Sequence, residues 1–559
     1  MQDTGKSKEK TDLVIIVPPA GPRNTNYPPY GALYVASALI AKGYRVKILN
    51  IDTDRLTNRE AIGIISEMDP AYVGFSGIVA PSYNYIKDMS ADVKKAFPGK
   101  IQILGGGLAS AAETVLENTS IDIVVKGEGD VTAVELMEAL SSGRDPDGVR
   151  GLVYRNGPRI VSTGIRPLIL DLDALRYPAF DLIDMTRYMP DGARFIRSFT
   201  NRARDNRISG LCRRGKNRMI TIMTSRGCFG RCTFCFRAYP GLRVHSMKYV
   251  FDYIEYCVKK FNAGFFTFAD ECFAPNKDRN WAFIDEFRKR RPGIVFRILG
   301  MRVDTVDEDI LKAYREIGCW MIEYGFESGS QKMLNIIDKG VGVRHNRQAA
   351  EWTRKAGIFT MPTTVLGMPG ETDKTVGETV EFLKSLKLDF KQYQWSYALP
   401  IPGSPLYDFA RLSGVIENDD EYLSSLSGPV GQAGVFHVNL TDEPDSAVAG
   451  WEGKISGELD EDYFRRAYGA KNRFMTGILK TLCLIELHWR KNDLANVIIK
   501  KIRNRFSAPG PSAAGVRVKY RKKSMIKPEE FDREIMPDHI DKELSLKKVN
   551  LRLKERAAV

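Results

Sequence analysis

The chain has 559 residues, 43% of them hydrophobic and 27% charged, with a formal net charge of +14; that length exceeds one ordinary core and predicts two or three domains. No run approaches the roughly 18 to 20 apolar residues of a membrane span. Residues 1–10 are polar rather than signal-like, and eight cysteines over this length suit a reducing compartment better than a disulfide framework, so a cytoplasmic protein is expected.

After a polar tail at 1–11, apolar runs alternate with amphipathic stretches. Strands are predicted at 12–20, 45–52, 71–79, 100–105 and 121–126, and helices at 28–43, 58–68, 82–97, 111–118 and 131–141. Five strands alternating with five helices define an α/β domain over 12–145, a doubly wound Rossmann-like parallel sheet whose ligand crevice lies at the carboxyl ends of its strands. Those ends carry Gly21, Ser76-Gly77, Gly105-Gly106-Gly107 and Glu128-Gly129. Glycines there let a flat or phosphate-bearing cofactor approach the backbone.

Residues 146–218 read as a connector, with a small hairpin at 151–161 around Asn156-Gly157. It holds a basic run of Arg202, Arg204, Arg207, Arg213, Arg214, Lys216 and Arg218, which either faces an anionic substrate or is a solvated loop. A second alternating region, 219–418, starts with a strand at 219–222 and continues with strands at 264–269, 294–299, 319–326, 358–366 and 390–398. Six such units make a partial (β/α)6 barrel, with chemistry expected at the carboxyl ends.

The first barrel strand delivers Cys228, Cys232 and Cys235, spaced C-x3-C-x2-C on a glycine-bearing loop. Three thiolates so spaced can hold three irons of a cubane cluster and leave the fourth open. A structural zinc site needs a fourth ligand, and His245, ten residues past Cys235, has no paired partner. Beyond 419 the alternation stops. Residues 419–506 read as a mainly helical extension, with one helix at 460–502 that either lies on a membrane surface or closes the barrel's open side. A linker then leads into a basic tail at 507–559; from 500 to 559 there are 17 Lys plus Arg against 8 Asp plus Glu.

At Cys228, Cys232, Phe234 and Cys235 the sequence resembles the radical S-adenosylmethionine (radical SAM) enzymes. The resemblance implies a 4Fe-4S cluster whose open iron binds SAM, and reductive cleavage of SAM to a 5'-deoxyadenosyl radical that takes hydrogen from carbon. It also carries over SAM contacts at Phe234, Glu271, Arg302, Glu327, Ser328 and Gly367. Cys272, beside Asp270-Glu271, is either a radical quencher or covalent carrier, or simple packing; no catalytic residue is otherwise assigned.

The first domain resembles the cobalamin-binding domain of cobalamin-dependent radical SAM enzymes, on Pro28, Pro29, Gly31, Leu33, Tyr34 and Ala36, on Gly105-Gly106, and on Gly127-Glu128-Gly129. The resemblance places cobalamin against Gly21, Ser76, Gly77, Gly105, Gly106, Gly107, Glu128 and Gly129. No histidine precedes His245 and the D-x-H-x-x-G motif is absent, so base-off, His-off binding is implied; a scaffold that has lost cobalamin is the other reading. The implied activity is methylation of an unactivated carbon. The alternatives are a reaction of the magnesium-protoporphyrin monomethyl ester cyclase type, RNA methylthiolation, or a cofactor carrier. Flavodoxin or ferredoxin is the implied electron donor, and a small or lipid-like molecule the substrate. Peripheral membrane contact through the basic C-terminal region is possible in this reading, and nucleic acid is not expected as a partner.

Overall fold

The computed structural model describes residues 10–19, 27–77, 80–199, 206–237, 239, 241–388, 392–426, 435–470 and 473–489, the last with side chains to 481. Gly21, Arg202, Arg204 and the 507–559 tail therefore lie outside the described residues.

The first domain contains β1 (Leu13–Val17), β2 (Val46–Asn50), β3 (Tyr72–Ser76), β4 (Ile101–Gly105), β5 (Ile123–Val125), β6 (Leu152–Asn156) and β7 (Arg159–Ser162). They form one sheet in the order β2-β1-β3-β4-β5-β6-β7. Pairing is parallel from β2 to β5 and antiparallel beyond. The 151–161 hairpin, read from sequence as connector, thus forms the sheet's far edge. All five residues of β1, LVIIV, are buried, as a parallel strand covered on both faces requires. Because the chain leaves β1 for β2 on one side and β3 on the other, a crevice opens at the carboxyl ends of β1 and β3.

The second region contributes β8 (Arg218–Ile222), then a ribbon of β9 (Ser225–Cys228) and β10 (Gly241–Val244). There follow β11 (Ala263–Ala269), β12 (Val295–Met301), β13 (Cys319–Glu327), β14 (Phe359–Leu366) and β15 (Gln394–Tyr397). Six of them form an all-parallel curled sheet in the order β15-β14-β13-β12-β11-β8. Phe266 and Phe268 of β11 face outward with Phe296 into the core beneath the outer helices. The inward side is closed at the amino ends by the helices Gly192–Phe199 and Asn206–Arg213, whose Ala193, Ile196, Ile208 and Leu211 pack on Met219, Phe265 and Met361. Gly192 is obligatory there, since a Cβ would stand 2.2 Å from the Phe265 ring. Of the basic run, Arg207 and Arg213 lie in the second of these helices and Arg214, Lys216 and Arg218 follow it, with Arg213, Arg214 and Arg218 exposed, at the barrel end opposite the cysteine loop.

The two sheets share a core in which Ile16, Phe75 and Leu104 join Met333, Met368, Leu406 and Tyr407. Among the described residues the C-terminal extension holds a short helix Asp419–Ser425, a helix Asp445–Tyr468 and a helix Arg473–Trp489; the last two stand where a single helix is read at 460–502. Gly469, at φ +68°, ends Asp445–Tyr468 in the left-handed conformation that glycine adopts without steric cost. That helix packs beside β15, where the Tyr397 hydroxyl donates to Val448 O at 2.9 Å and Trp451 Nε1 donates to Asp373 at 2.6 Å. Among the described residues no helix is long and apolar enough to cross a membrane.

Candidate active site at the domain interface

The cysteine loop hangs between β9 and β10, which pair antiparallel with Gly241 opposite Cys228. Burial normally makes a loop expensive through its unpaired backbone groups. Here Thr233 answers that cost: its N–H donates to Ile337 O at 2.8 Å, its hydroxyl donates to Ile336 O, and its carbonyl accepts from Leu406 N at 2.9 Å. At the base of the ribbon, Asp270 at the end of β11 accepts from Thr224 N (2.6 Å), Thr224 Oγ1 (2.9 Å), Ser225 N (2.8 Å) and Ser225 Oγ (2.9 Å). Burial still pushes its carboxyl up to about 6. Asp270 is thus a structural staple that the sequence reading noticed only as a neighbour of Glu271.

The thiols Cys228 and Cys232 bracket Gly230. A Cβ there would lie 3.3 Å from Cys228 Sγ and 3.9 Å from Cys232 Sγ, so only glycine keeps the space between the sulfurs clear. Among the described residues no three His, Cys, Asp or Glu side chains converge on one ion, the spacing a mononuclear zinc site would need; a cubane instead takes its three thiolates on separate irons. Cys272 is fully buried, and its thiol hydrogen-bonds with Cys228. That bond holds Cys272 protonated and brings Cys228 down to about 6. Burial pushes Cys232 upward and Cys235 to about 12. Cys257 and Cys319 lie in the core, as their sequence context implies.

Charged groups line the barrel's carboxyl ends. Glu327 is 6% exposed, sits at φ +58° and pairs with Lys339 at 2.6 Å. A non-glycine residue held in the left-handed region costs roughly 1–3 kcal/mol and marks sites where geometry matters more than stability. Arg302 is gripped in two-point fashion by Asp304 (2.9 and 2.8 Å) and lies 4.6 Å over the Phe229 ring. The Ser328 hydroxyl is shared between Thr379 Oγ1 and Ser330 N, at 3.0 Å each, so it braces the loop. Gly367 donates its N–H at 2.6 Å to Glu371, a buried carboxyl raised to about 8 by desolvation. Phe234 packs partly buried beside Cys232 and Cys235.

Between the two sheets lies a cavity of about 390 Å³, inside the range of roughly 300–1,000 Å³ usual for ligand sites. The first domain supplies Ser76, Gly105, Gly106, Gly127 and Gly129 and an apolar slot of Ile15, Ile103, Val125, Leu136 and Met137; the barrel supplies Met223, Arg226, Ala269 and Glu271. At Gly105 and Gly127 a Cβ would meet nothing within 4 Å, so their backbones face open space. Among the described residues Gly77, Gly107 and Glu128 do not line it. Gly77 is a packing glycine, whose Cβ would stand 2.9 Å from Leu108 Cβ.

Glu128 is instead one half of a clamp. Its Oε1 accepts from Arg226 at 2.9 Å, its Oε2 from Arg243 at 2.7 Å and from Ile169 N at 2.8 Å, and Arg226 also grips Asp130 at 2.8 and 3.1 Å. Arg226 and Arg243 are register partners across β9 and β10, so the glycine-glutamate turn after β5 holds the ribbon that carries the cysteines. The Tyr34 ring lies 5.1 Å from the Arg226 guanidinium. His245 also lines the cavity. Its Nδ1 is 3.0 Å from Asp173, its ring stacks on Tyr249 at 3.9 Å, and burial lowers it to about 4, a neutral imidazole. Nothing in the local sequence around Arg226, Arg243 or His245 signals these roles, because the carboxylates that hold them, Glu128, Asp130 and Asp173, are at least 70 residues away.

Comparison with known proteins gives the same division. The radical SAM superfamily matches residues 222–383 and the B12 binding domain residues 20–137. An uncharacterized methyltransferase of Pyrococcus horikoshii is 29% identical over 410 residues, covering 71% of this chain and 83% of its own. The anaerobic magnesium-protoporphyrin IX monomethyl ester cyclase of Cereibacter sphaeroides is 29% identical over 399 residues, covering 69% and 61%. In fold, the chain is similar to the radical SAM methyltransferase TsrM from Kitasatospora setae (TM-score 0.57, 20% identity, 73% and 79% covered) and to the cobalamin-dependent enzyme OxsB (TM-score 0.61, 14% identity, 98% and 80% covered).

The matched regions are a radical SAM domain and a B12-binding domain in one chain. The chain is similar to radical SAM enzymes that carry both, and the cofactors of these domains are a 4Fe-4S cluster, SAM and cobalamin. The residues fit that set: a loop of three thiols with Gly230 between two of them, and a glycine-bordered cavity with an apolar slot, walled on the barrel side by Ser225, Arg226 and Gly227, which lead into that loop.

Proposed function

We propose that the protein methylates an unactivated carbon, as a cobalamin-dependent radical SAM methyltransferase. The observation that carries this reading is the single cavity walled by Gly105 and Gly127 from one sheet and by Arg226, Ala269 and Glu271 from the other. One substrate can there meet both cofactor sites. When bound, the cluster with SAM supplies a hydrogen-abstracting radical and cobalamin supplies a methyl group.

The chain's own part is to hold and to exclude. Cys228, Cys232 and Cys235 would hold the cluster, and Asp270 and Thr233 fix the loop that bears them. The strained Glu327, paired with Lys339, and Arg302 present charge where the amino, carboxylate and ribose groups of SAM need partners; Glu271 adds a carboxylate at the rim, raised by burial beside Cys228. The apolar slot keeps water from the reacting atoms. No histidine of the first domain reaches the cavity, which supports His-off binding.

A second reading is oxidative ring formation, favoured by the similarity to the Cereibacter sphaeroides cyclase. RNA methylthiolation is disfavoured, since no cysteine precedes Cys212 to hold a second cluster. Anaerobic reconstitution with iron, sulfide and hydroxocobalamin, followed by product analysis with SAM and reductant, tests the proposal. Methyl transfer gives S-adenosylhomocysteine together with 5'-deoxyadenosine. Formation of 5'-deoxyadenosine alone in the presence of a consumed substrate would replace methylation with the cyclase reading.

A further inference from the structure

The barrel encloses a lumen that the sequence motifs do not mention. On its central strands the inward residues Leu299, Glu323, Gly325 and Thr363 are partly exposed, whereas their outward neighbours Ile298, Ile322 and Tyr324 are fully buried. Inward exposure on the middle of a sheet means open space inside the barrel. At the bottom of that space is Arg297, 7% exposed.

Three contacts fix it. Its Nε donates to Thr267 Oγ1 at 2.9 Å, its guanidinium lies 4.5 Å from the ring of Phe195 in the floor helix, and Tyr27 hydrogen-bonds with it. With one face against the floor, the other face looks up the lumen. Among the described residues no carboxylate forms an ion pair with it. Glu323, on the neighbouring strand, interacts with it only at longer range and is itself pushed upward by burial. A guanidinium carries five N–H donors in a planar fork matched to carboxylate and phosphate, and a buried charge without a counter-charge is costly. An arginine held by an aromatic floor and a threonine, without its own anion, is poised to accept one.

We propose that the lumen floor is a binding site for an oxyanion of the substrate, a carboxylate or a phosphate, seated on Arg297. Thr267 is register partner to Arg297 and lies two residues before the end of β11, so at about 3.3 Å per residue the floor lies at least about 7 Å below the rim. The substrate is thus an elongated molecule with an acidic end at the floor and the reacting carbon at the rim. This deepens the proposed function and rests on its reading of the substrate as meeting the cavity between the sheets, from which the acidic end would reach down into the barrel.

The test is calorimetric titration of inorganic phosphate and of acetate into the reconstituted holoenzyme, with no SAM turnover involved, so that failure of methyl transfer and failure of this site are read separately. At least one anion binds the wild type, and whichever binds more tightly names the class. Arg297→Met weakens it tenfold or more, and Arg297→Lys keeps part of the affinity. Melting gives a second reading. The anion raises the wild-type Tm but leaves Arg297→Met unmoved, and the variant, relieved of an uncompensated charge, melts no lower than the anion-free wild type. Should Arg297→Met not fold, Thr267→Val, which frees Nε from its anchor, weakens binding several-fold. Absence of anion binding to the wild type, or equal binding in the variants, overturns the proposal.

Discussion

The two sheets follow the same β/α alternation yet finish their strands in opposite ways. The first domain ends in Ser76, Gly105, Gly106 and Gly127, with small or absent side chains, and commits its two carboxylates to arginines of the ribbon: Asp130 pairs with Arg226 in the cavity wall, and Glu128, outside the lining, bridges Arg226 and Arg243. The barrel ends in Asp270, Glu271, Arg302, Glu327 and Glu371, most of them pinned by named partners. One side therefore supplies shape and the other charge. A large planar cofactor needs room and backbone approach, whereas a zwitterionic one needs fixed opposite charges. Where the two meet, charge serves to lock the domains together.

The sharpest way to break that comparison is to remove the barrel's metal ligands and leave the glycine side intact. Replacing Cys228, Cys232 and Cys235 by Ala is expected to bring bound iron and SAM cleavage to background, while absorbance of added cobalamin persists. Iron that stays at the parental level would contradict the assignment outright.

Next in size is the clamp. Glu128→Ala leaves Arg243 buried without its carboxylate and deprives Arg226 of one of two, and breaking a buried pair on one side costs about 3–5 kcal/mol. Scanning calorimetry should show a lower Tm, with the single transition separating toward two as the domains lose their lock. A variant that melts as one cooperative unit at the parental temperature would show that the shared apolar core alone couples them.

How far the sequence reaches differs between these regions for the same reason. Strand periodicity located all five parallel strands of the first domain and all six of the barrel, because burial on both faces leaves an apolar run such as LVIIV. The C-x3-C-x2-C spacing is equally local. The clamp is not, since Arg226 and Glu128 lie 98 positions apart and nothing in G-E-G says that its carboxylate turns away from the cavity. The motifs point to Glu128 as a cobalamin contact and to Ser328 as a SAM contact, although Glu128 binds the ribbon and the Ser328 hydroxyl is shared between Ser330 N and Thr379 on the helix Asp373–Ser385. The break at Gly469 was overlooked because apolar periodicity continues on both sides of it.

Smaller effects separate buried carboxyls by pH. Glu371 is raised to about 8 by desolvation, so the folded protein holds its proton more tightly than the unfolded chain does. The stabilisation is complete below the ordinary glutamate value near 4.5 and is lost as pH rises through about 8. Glu371→Gln keeps an oxygen for the Gly367 N–H and cannot ionise. Its Tm relative to wild type is expected to climb between pH 5 and pH 8, and a difference that stays flat with pH would mean that Glu371 is charged in the fold. Asp270, raised to about 6, shifts stability in the same direction over a lower window.

The smallest expected effect lies where the first domain meets the helix Asp419–Ser425 that follows the barrel. Lys87 meets Asp420 at 2.8 Å, but their side chains are 36% and 27% exposed, and Asp420 keeps the Tyr83 hydroxyl as a second partner at 2.5 Å. Water and salt compete for such a pair, so Lys87→Ala should change stability by no more than about 1 kcal/mol, and the difference should shrink further as ionic strength rises. Measured against Glu128→Ala in one denaturation series, it asks whether the first domain is held in place by its buried clamp or by charge pairs in general. A loss at Lys87 as large as that at Glu128 would point to the second.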